Sequence, residues 1–185
     1  MGTFFLGMLV FAGLASIWAA MTYNVLIRMK LRTDNAWSQI DVQLKRRHDL
    51  IPNLVETAKA YMGYENKTLQ EVIKARTQAT QAASVKDVAS SENLITSSLR
   101  SLFAVVESYP DLKANQNMLR LQEELSSTEN RISFARQNYN DETANYNTVV
   151  RSFPSNLIAV SFNFGQREFF EIEDTAHRET PKVAF

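Results

Sequence analysis

A missing charge constrains this chain more than anything present in it. No Asp, Glu, Lys or Arg occurs from Met1 to Ile27, and all 20 basic and 20 acidic residues follow. Within that stretch, Phe4 to Met21 consists of Phe, Leu, Met, Val, Ala, Ile and Trp, interrupted only by Gly and Ser16. A helix of about 20 such residues matches the hydrocarbon thickness of a bilayer. Residues 1–27 therefore read as a transmembrane anchor. Trp18 and Tyr23 are suited to the membrane interface, and Arg28, Lys30 and Arg32 open the charged region abruptly. A cleaved leader would carry cations ahead of its apolar run, and none are there; Gly13-Leu14-Ala15 as a cleavage site would leave a short apolar region. The anchor is expected to be retained. With the cations on its C-terminal side, the positive-inside rule puts the N-terminus outside and the remaining domain in the cytoplasm.

Composition excludes several classes. Formal charge is balanced, which argues against a nucleic-acid partner held by bulk electrostatics. The chain has no Cys, so disulfides, thiolate catalysis, Cys-ligated zinc and iron–sulfur clusters are out. Only 5 Gly and 4 Pro supply turns, too few for a sandwich or barrel.

Beyond the anchor the apolar period is helical. Met118, Leu121, Leu125, Thr128, Ile132, Ala135, Tyr139, Glu142, Tyr146, Val149 and Phe153 recur at alternating steps of three and four, a heptad seam. Trp37, Ile40, Leu44, Arg47, Ile51, Leu54, Ala58 and Tyr61 make a second seam whose phase survives Pro52. Pro52 is thus read as a kink within one helix rather than a stop, with Gly63 as its C-cap. Leu69, Val72, Arg76, Ala79 and Ala83 mark a further helix, and Ile95, Leu99, Leu102, Val106 and Tyr109 another. Ser84-Val85-Lys86-Asp87 reads as a polar loop between them, and Pro110-Asp111 as the stop of the second. The fold class is all-α: a transmembrane helix continuing into an elongated antiparallel four-helix bundle over 28–152, with helices near 28–62, 64–83, 91–109 and 115–150.

After Phe153-Pro154 the period is lost. Residues 153–185 form an apolar aromatic tail with Phe153, Leu157, Ile158, Phe162, Phe164, Phe169 and Phe170. The first and last bundle helices are each roughly 50 Å long, so the tail should return to the membrane surface near residues 23–32. There it could dip among lipid headgroups or pack on an adjacent copy. Packing is preferred, because only Arg151 and Arg167 flank it as cations.

Long stretches of the chain resemble the LemA family. They are Ala36 through Glu56, Leu102 through Asn115, Leu121 through Leu125, Glu129 through Arg136, Arg151 through Ile158, Arg167 through Glu171 and Pro181 through Phe185. His48 stands where that family usually has Tyr. The resemblance implies a bacterial single-pass protein of the inner or plasma membrane with a helical bundle. It brings no activity and no catalytic residues.

The residues themselves offer little chemistry. A di-iron bundle needs Glu-x-x-His pairs, and neither His48 nor His177 follows a Glu by three. No Ser–His–acid arrangement and no Gly-rich phosphate loop stand out, so no cofactor or metal is expected. Arg47 is the exception to a solvated Lys45-Arg46-Arg47 face, because it falls on the seam, where a charge must be paired. Counting height along the helices puts Glu129 opposite it, with Glu124 as a neighbour, as a register-fixing pair. The expected function is a non-enzymatic, self-associating scaffold in the envelope. An adaptor for a membrane protease or signalling protein is the alternative, and an enzyme or ligand receptor lacks a convergent polar site. The orientation is tested by adding protease to spheroplasts: the bundle should survive, and its digestion from outside would reverse the assignment.

Overall fold

The computed structural model describes residues 1–62 and 67–171. Among them every regular element is a helix: α1 (Gly2–Met62), α2 (Lys67–Gln81), α3 (Val85–Val106), α4 (Pro110–Lys113), α5 (Gln116–Arg151) and α6 (Ser155–Ser161). The chain divides into two compact units. One comprises Met1–Asp41 with Phe134–Phe169, and the other Val42–Ser133 with the residues from Phe170 onward. Both α1 and α5 therefore contribute to each unit.

The second unit is a four-helix arrangement. Ile51, Leu54, Val55 and Ala58 of α1 pack with Leu69, Val72, Ala75 and Ala79 of α2, with Ile95, Leu99, Leu102 and Val106 of α3, and with Met118 and Leu125 of α5. Leu112 of the one-turn α4 closes the same cluster. These positions lie three and four residues apart, so each helix turns one apolar stripe inward. Ala82, Ala83 and Ser84 alone join α2 to α3, which makes the two an antiparallel hairpin.

Two boundaries differ from the sequence expectation for a local reason. Ser84–Asp87 is not a loop. Ser84 is the N-cap of α3: its hydroxyl accepts from the Asp87 amide at 3.0 Å and donates to the Asp87 carboxylate at 2.7 Å. This is a serine N-cap, and it moves the start of α3 from about 91 back to Val85. Pro110 likewise does not stop α3, which ends at Val106; it sits in the first turn of α4, where its missing N–H costs nothing. The expected C-cap Gly63 and the start of the second helix at 64 lie outside the described residues.

Pro52 lies inside a single continuous α1. A proline there leaves the carbonyl four residues back without its helical donor. That carbonyl belongs to His48, and the Arg76 side chain of α2 supplies the substitute, Nε to O at 2.9 Å. The lost helical bond is thus replaced by a tertiary one that docks α2 on α1.

The first unit is built differently. Leu26 of α1, Tyr146 and Val150 of α5, and Ala159 of α6 form its core, joined at the margin by Met29, Val149, Ile158 and Phe164. Trp37 and Tyr139 meet edge to face, ring centroids 5.2 Å apart. The tail is not aperiodic as expected, because 155–161 is helical. Two turns are too short to reveal a period in sequence. The Phe153–Pro154 peptide bond that precedes it is cis. α6 ends in a Schellman closure: Phe164 N–H reaches the Ala159 carbonyl at 2.8 Å, Asn163 N–H reaches Val160, and Asn163 takes the left-handed conformation (φ 55°). Phe153, expected on the α5 seam, is instead 80% exposed beyond the end of that helix.

Two outcomes follow for detergent-solubilised full-length protein. Leu125→Asp or Ile132→Asp should lower the midpoint of thermal unfolding sharply, since each buries an unpaired charge at a cost of several kcal/mol. Arg76→Met should cost about 1–2 kcal/mol in the native protein and close to nothing in a Pro52→Ala background, where residue 52 regains its own N–H.

Candidate functional site

In the second unit one charge ties three helices together. Arg47 projects from the buried stripe of α1, and its side chain is only 2% exposed. Its guanidinium donates to the carboxylates of Glu92 on α3 and Glu129 on α5, to the Glu92 backbone carbonyl at 3.2 Å, and to the Thr96 hydroxyl at 3.1 Å. Thr96 in turn donates to Glu129 at 3.3 Å. The second oxygen of Glu92 lies 2.7 Å from His48 Nε2, and the His48 backbone is held by Arg76 of α2. Burial pushes the Glu92 carboxyl up, but its hydrogen bond to His48 and the charge of Arg47 prevail and hold it below the ordinary value of 4.5.

Of the acids singled out in sequence, Glu129 is thus at Arg47, whereas Glu124 bonds Arg120 at 3.4 Å and lies 3.8 Å from Arg46. Glu92 was missed. Its signal was available: Glu92, Ile95, Leu99, Leu102 and Val106 keep one phase, so extending the stripe a turn back exposes an acid on it. A stripe begun at Ile95 starts one turn too late.

In the first unit the tail lies along α5 and is held by its main chain. Asn147 bonds Arg167 twice, its amide nitrogen donating to the Arg167 carbonyl at 2.9 Å and its oxygen accepting from the Arg167 N–H at 2.8 Å. The hydroxyls of Tyr146 and Tyr139 donate to the carbonyls of Gly165 and Glu168 at 2.9 and 2.8 Å. Burial raises both phenols, which keeps them protonated as donors. Arg167 completes the contact with an ion pair to Asp34 of α1 at 2.6 Å. The segment, expected near residues 23–32, meets that stretch on its own chain, where the Phe162 and Phe164 rings contact Tyr23. Two helices alone leave α5 polar positions at Tyr139, Tyr146 and Asn147 unsatisfied, and an extended segment meets them. Phe164 is half-buried and Phe170 buried, while Phe153, Leu157, Phe162 and Phe169 remain exposed and Ile158 is half-buried. Residues 172–185, including His177 and the end of the tail, lie outside the described residues.

At the other end of α1, Phe4 to Met21 is exposed along nearly its whole length, and the helix is long and apolar enough to cross a membrane. Trp18 and Tyr23 are exposed, as are Arg28, Lys30 and Arg32. Among the described residues no group of three or more His, Cys, Asp or Glu is placed to hold a metal ion.

A family model for LemA matches residues 36–185, which contain the charge cluster and the tail contacts. The chain belongs to the LemA family. It is 26% identical over 155 residues to Protein LemA of Metamycoplasma hominis, covering 82% of this chain and 69% of that one. It is similar too to magnetosome protein MamQ 2 of Paramagnetospirillum magneticum, at 24% identity over 177 residues, and to magnetosome protein MamQ of Magnetospirillum gryphiswaldense, at 22% over 176. The chain spans 65% of the length of each of these two. LemA membership and the exposed apolar helix together make this a membrane-associated protein.

Removing Glu92 should strand a buried cation. Glu92→Ala is expected to cost about 3–5 kcal/mol, whereas Glu129→Ala, whose carboxylate is 44% exposed, should cost about 1 kcal/mol or less. Because the folded-state value of Glu92 is depressed, its stabilisation is present above pH 4.5 and is lost as pH falls through and below that value. Glu92→Gln should flatten that acid limb in a urea titration repeated from pH 6 downward.

Proposed function

We propose that this LemA-family chain is a membrane-anchored, non-enzymatic scaffold that self-associates and presents a helical surface to other components of the bacterial envelope. Its N-terminus lies outside and its bundle in the cytoplasm. The observation that carries the reading is the continuity of α1. One helix, Gly2–Met62, holds both the exposed apolar segment and Arg47, with no loop between them.

The polar chemistry supports the same reading. The buried acids and bases of the second unit are consumed by one another: Arg47 by Glu92 and Glu129, and His48 by Glu92. A catalytic site needs polar groups converging on space for a substrate; here Glu92 and His48 are turned inward on the Arg47 side, and of the cluster only Thr96 and Glu129 also line an open cleft between α3 and α5. The cluster's role is register: a seam charge that meets acids on two other helices accepts one alignment of those helices.

Self-association is tested by light scattering of the full-length protein extracted in mild detergent. The protein mass should be a multiple of 21.1 kDa. A single-chain mass across a range of detergents and concentrations would remove self-association from the proposal and leave the presenting surface alone.

A further inference from the structure

We propose that α6 and its flanks form a second membrane contact, a foot that beds in the headgroup region beside the transmembrane helix. Its ligand is the lipid surface itself.

The argument begins with charge. From Ser152 to Gln166 no side chain is ionisable, between Arg151 and Arg167. This is the longest such stretch outside the anchor. The inner side of α6 is occupied: Ile158 and Ala159 pack toward Leu26 and Val150. Its outer side is apolar and open, with Phe153 80%, Leu157 56%, Val160 78% and Phe162 58% exposed. A contiguous group of this kind on a soluble surface needs a cover.

Depth identifies the cover. The Phe162 ring lies 4.9 Å from the ring of Tyr23, and the Phe164 ring 5.7 Å from it. Side chains on a helix lean toward its N-terminus, so the Tyr23 ring lies on the anchor side of its own Cα. The Cα of the first cation, Arg28, is about 7 Å further along α1, and its side chain turns back to the Asn24 carbonyl at 3.3 Å, still on the bundle side of the Tyr23 ring. Phe162 is therefore on the bilayer side of the first charge. Interfacial helices bed their apolar faces about 5–10 Å into the boundary between headgroups and acyl chains, and a face at the level of Tyr23 is placed for that contact. The exposed face of α6 is thus continuous with the lipid-facing surface of the span.

The backbone is prepared for that setting, where unpaired polar groups are costly. The carbonyls of Ile158, Ala159 and Val160 are taken by the amides of Phe162, Phe164 and Asn163, and the Ser155 hydroxyl donates to the Val149 carbonyl at 2.6 Å. Few cations flank the foot, so its hold rests on apolar burial rather than on anionic lipid.

The test exploits the absence of native cysteine. Leu157→Cys and Val160→Cys, each labelled with a small environment-sensitive fluorophore, are prepared in the full-length protein. Gln78→Cys on the exposed side of α2 serves as control. All are reconstituted in phosphatidylethanolamine–phosphatidylglycerol vesicles with or without lipid carrying a shallow acyl-chain nitroxide. Both foot labels should be quenched by the nitroxide, and their quenching by aqueous iodide should fall at least roughly twofold below the control. Iodide access equal to the control would overturn the proposal. So would shielding from iodide without quenching by the nitroxide, which would mean that protein, such as a second copy of the chain, covers the foot.

Discussion

Arg47 is the constraint on which the second unit rests. A guanidinium taken out of water is tolerated only where its charge is met and most of its N–H groups are bonded; in Arg47 both terminal nitrogens are bonded and Nε is not. Here α3 supplies a buried carboxylate and a backbone carbonyl, and α5 supplies a second carboxylate. An apolar stripe sliding along its neighbour by one turn loses little, because one Leu resembles the next. A charge that must find Glu92 and Glu129 together permits no such slide. In the proposed scaffold the cluster serves discrimination between alignments more than net stability.

The sequence made the helical stripes legible because they are long. Leu125, Ile132, Ala135, Tyr139 and Tyr146 are buried on α5, and Ile40, Leu44, Ile51, Leu54 and Ala58 on α1, at the phase read from spacing alone. It also led from Arg47 to Glu129, since matching two helices by height needs only the rise per residue. What it hid was short-range chemistry. Ser84 and Asp87 look like loop residues until the cap bonds are seen, and Glu92, a charged residue one turn before Ile95, is left off a stripe that begins at Ile95. The tail was harder still. Its hold on α5 runs through the main chain of Gly165, Arg167 and Glu168, and main-chain atoms leave no signature in a sequence.

Pro52 shows how a local defect can become a tertiary link. The residue deletes one backbone donor, and the orphaned His48 carbonyl then attracts Arg76 from α2. The same His48 faces Glu92 of α3 with its ring. One residue of α1 thereby touches the next two helices, by backbone toward one and by side chain toward the other. Phase continuity through Pro52 was visible in sequence; the replacement donor that permits it was not.

The clasp on the tail is largely blind to what the tail is made of. Tyr139, Tyr146 and Asn147 grip carbonyl groups that every residue offers and an amide that only proline lacks, while side chains are read by the Arg167–Asp34 pair and by Tyr23 against Phe162 and Phe164. Most replacements at Gln166 or Glu168 leave those grips unchanged, whereas a proline at 167 removes one outright. The outward side chains of this segment are thus decoupled from its attachment. A mounting that ignores the cargo's identity lets the exposed face be rewritten without refitting the mount.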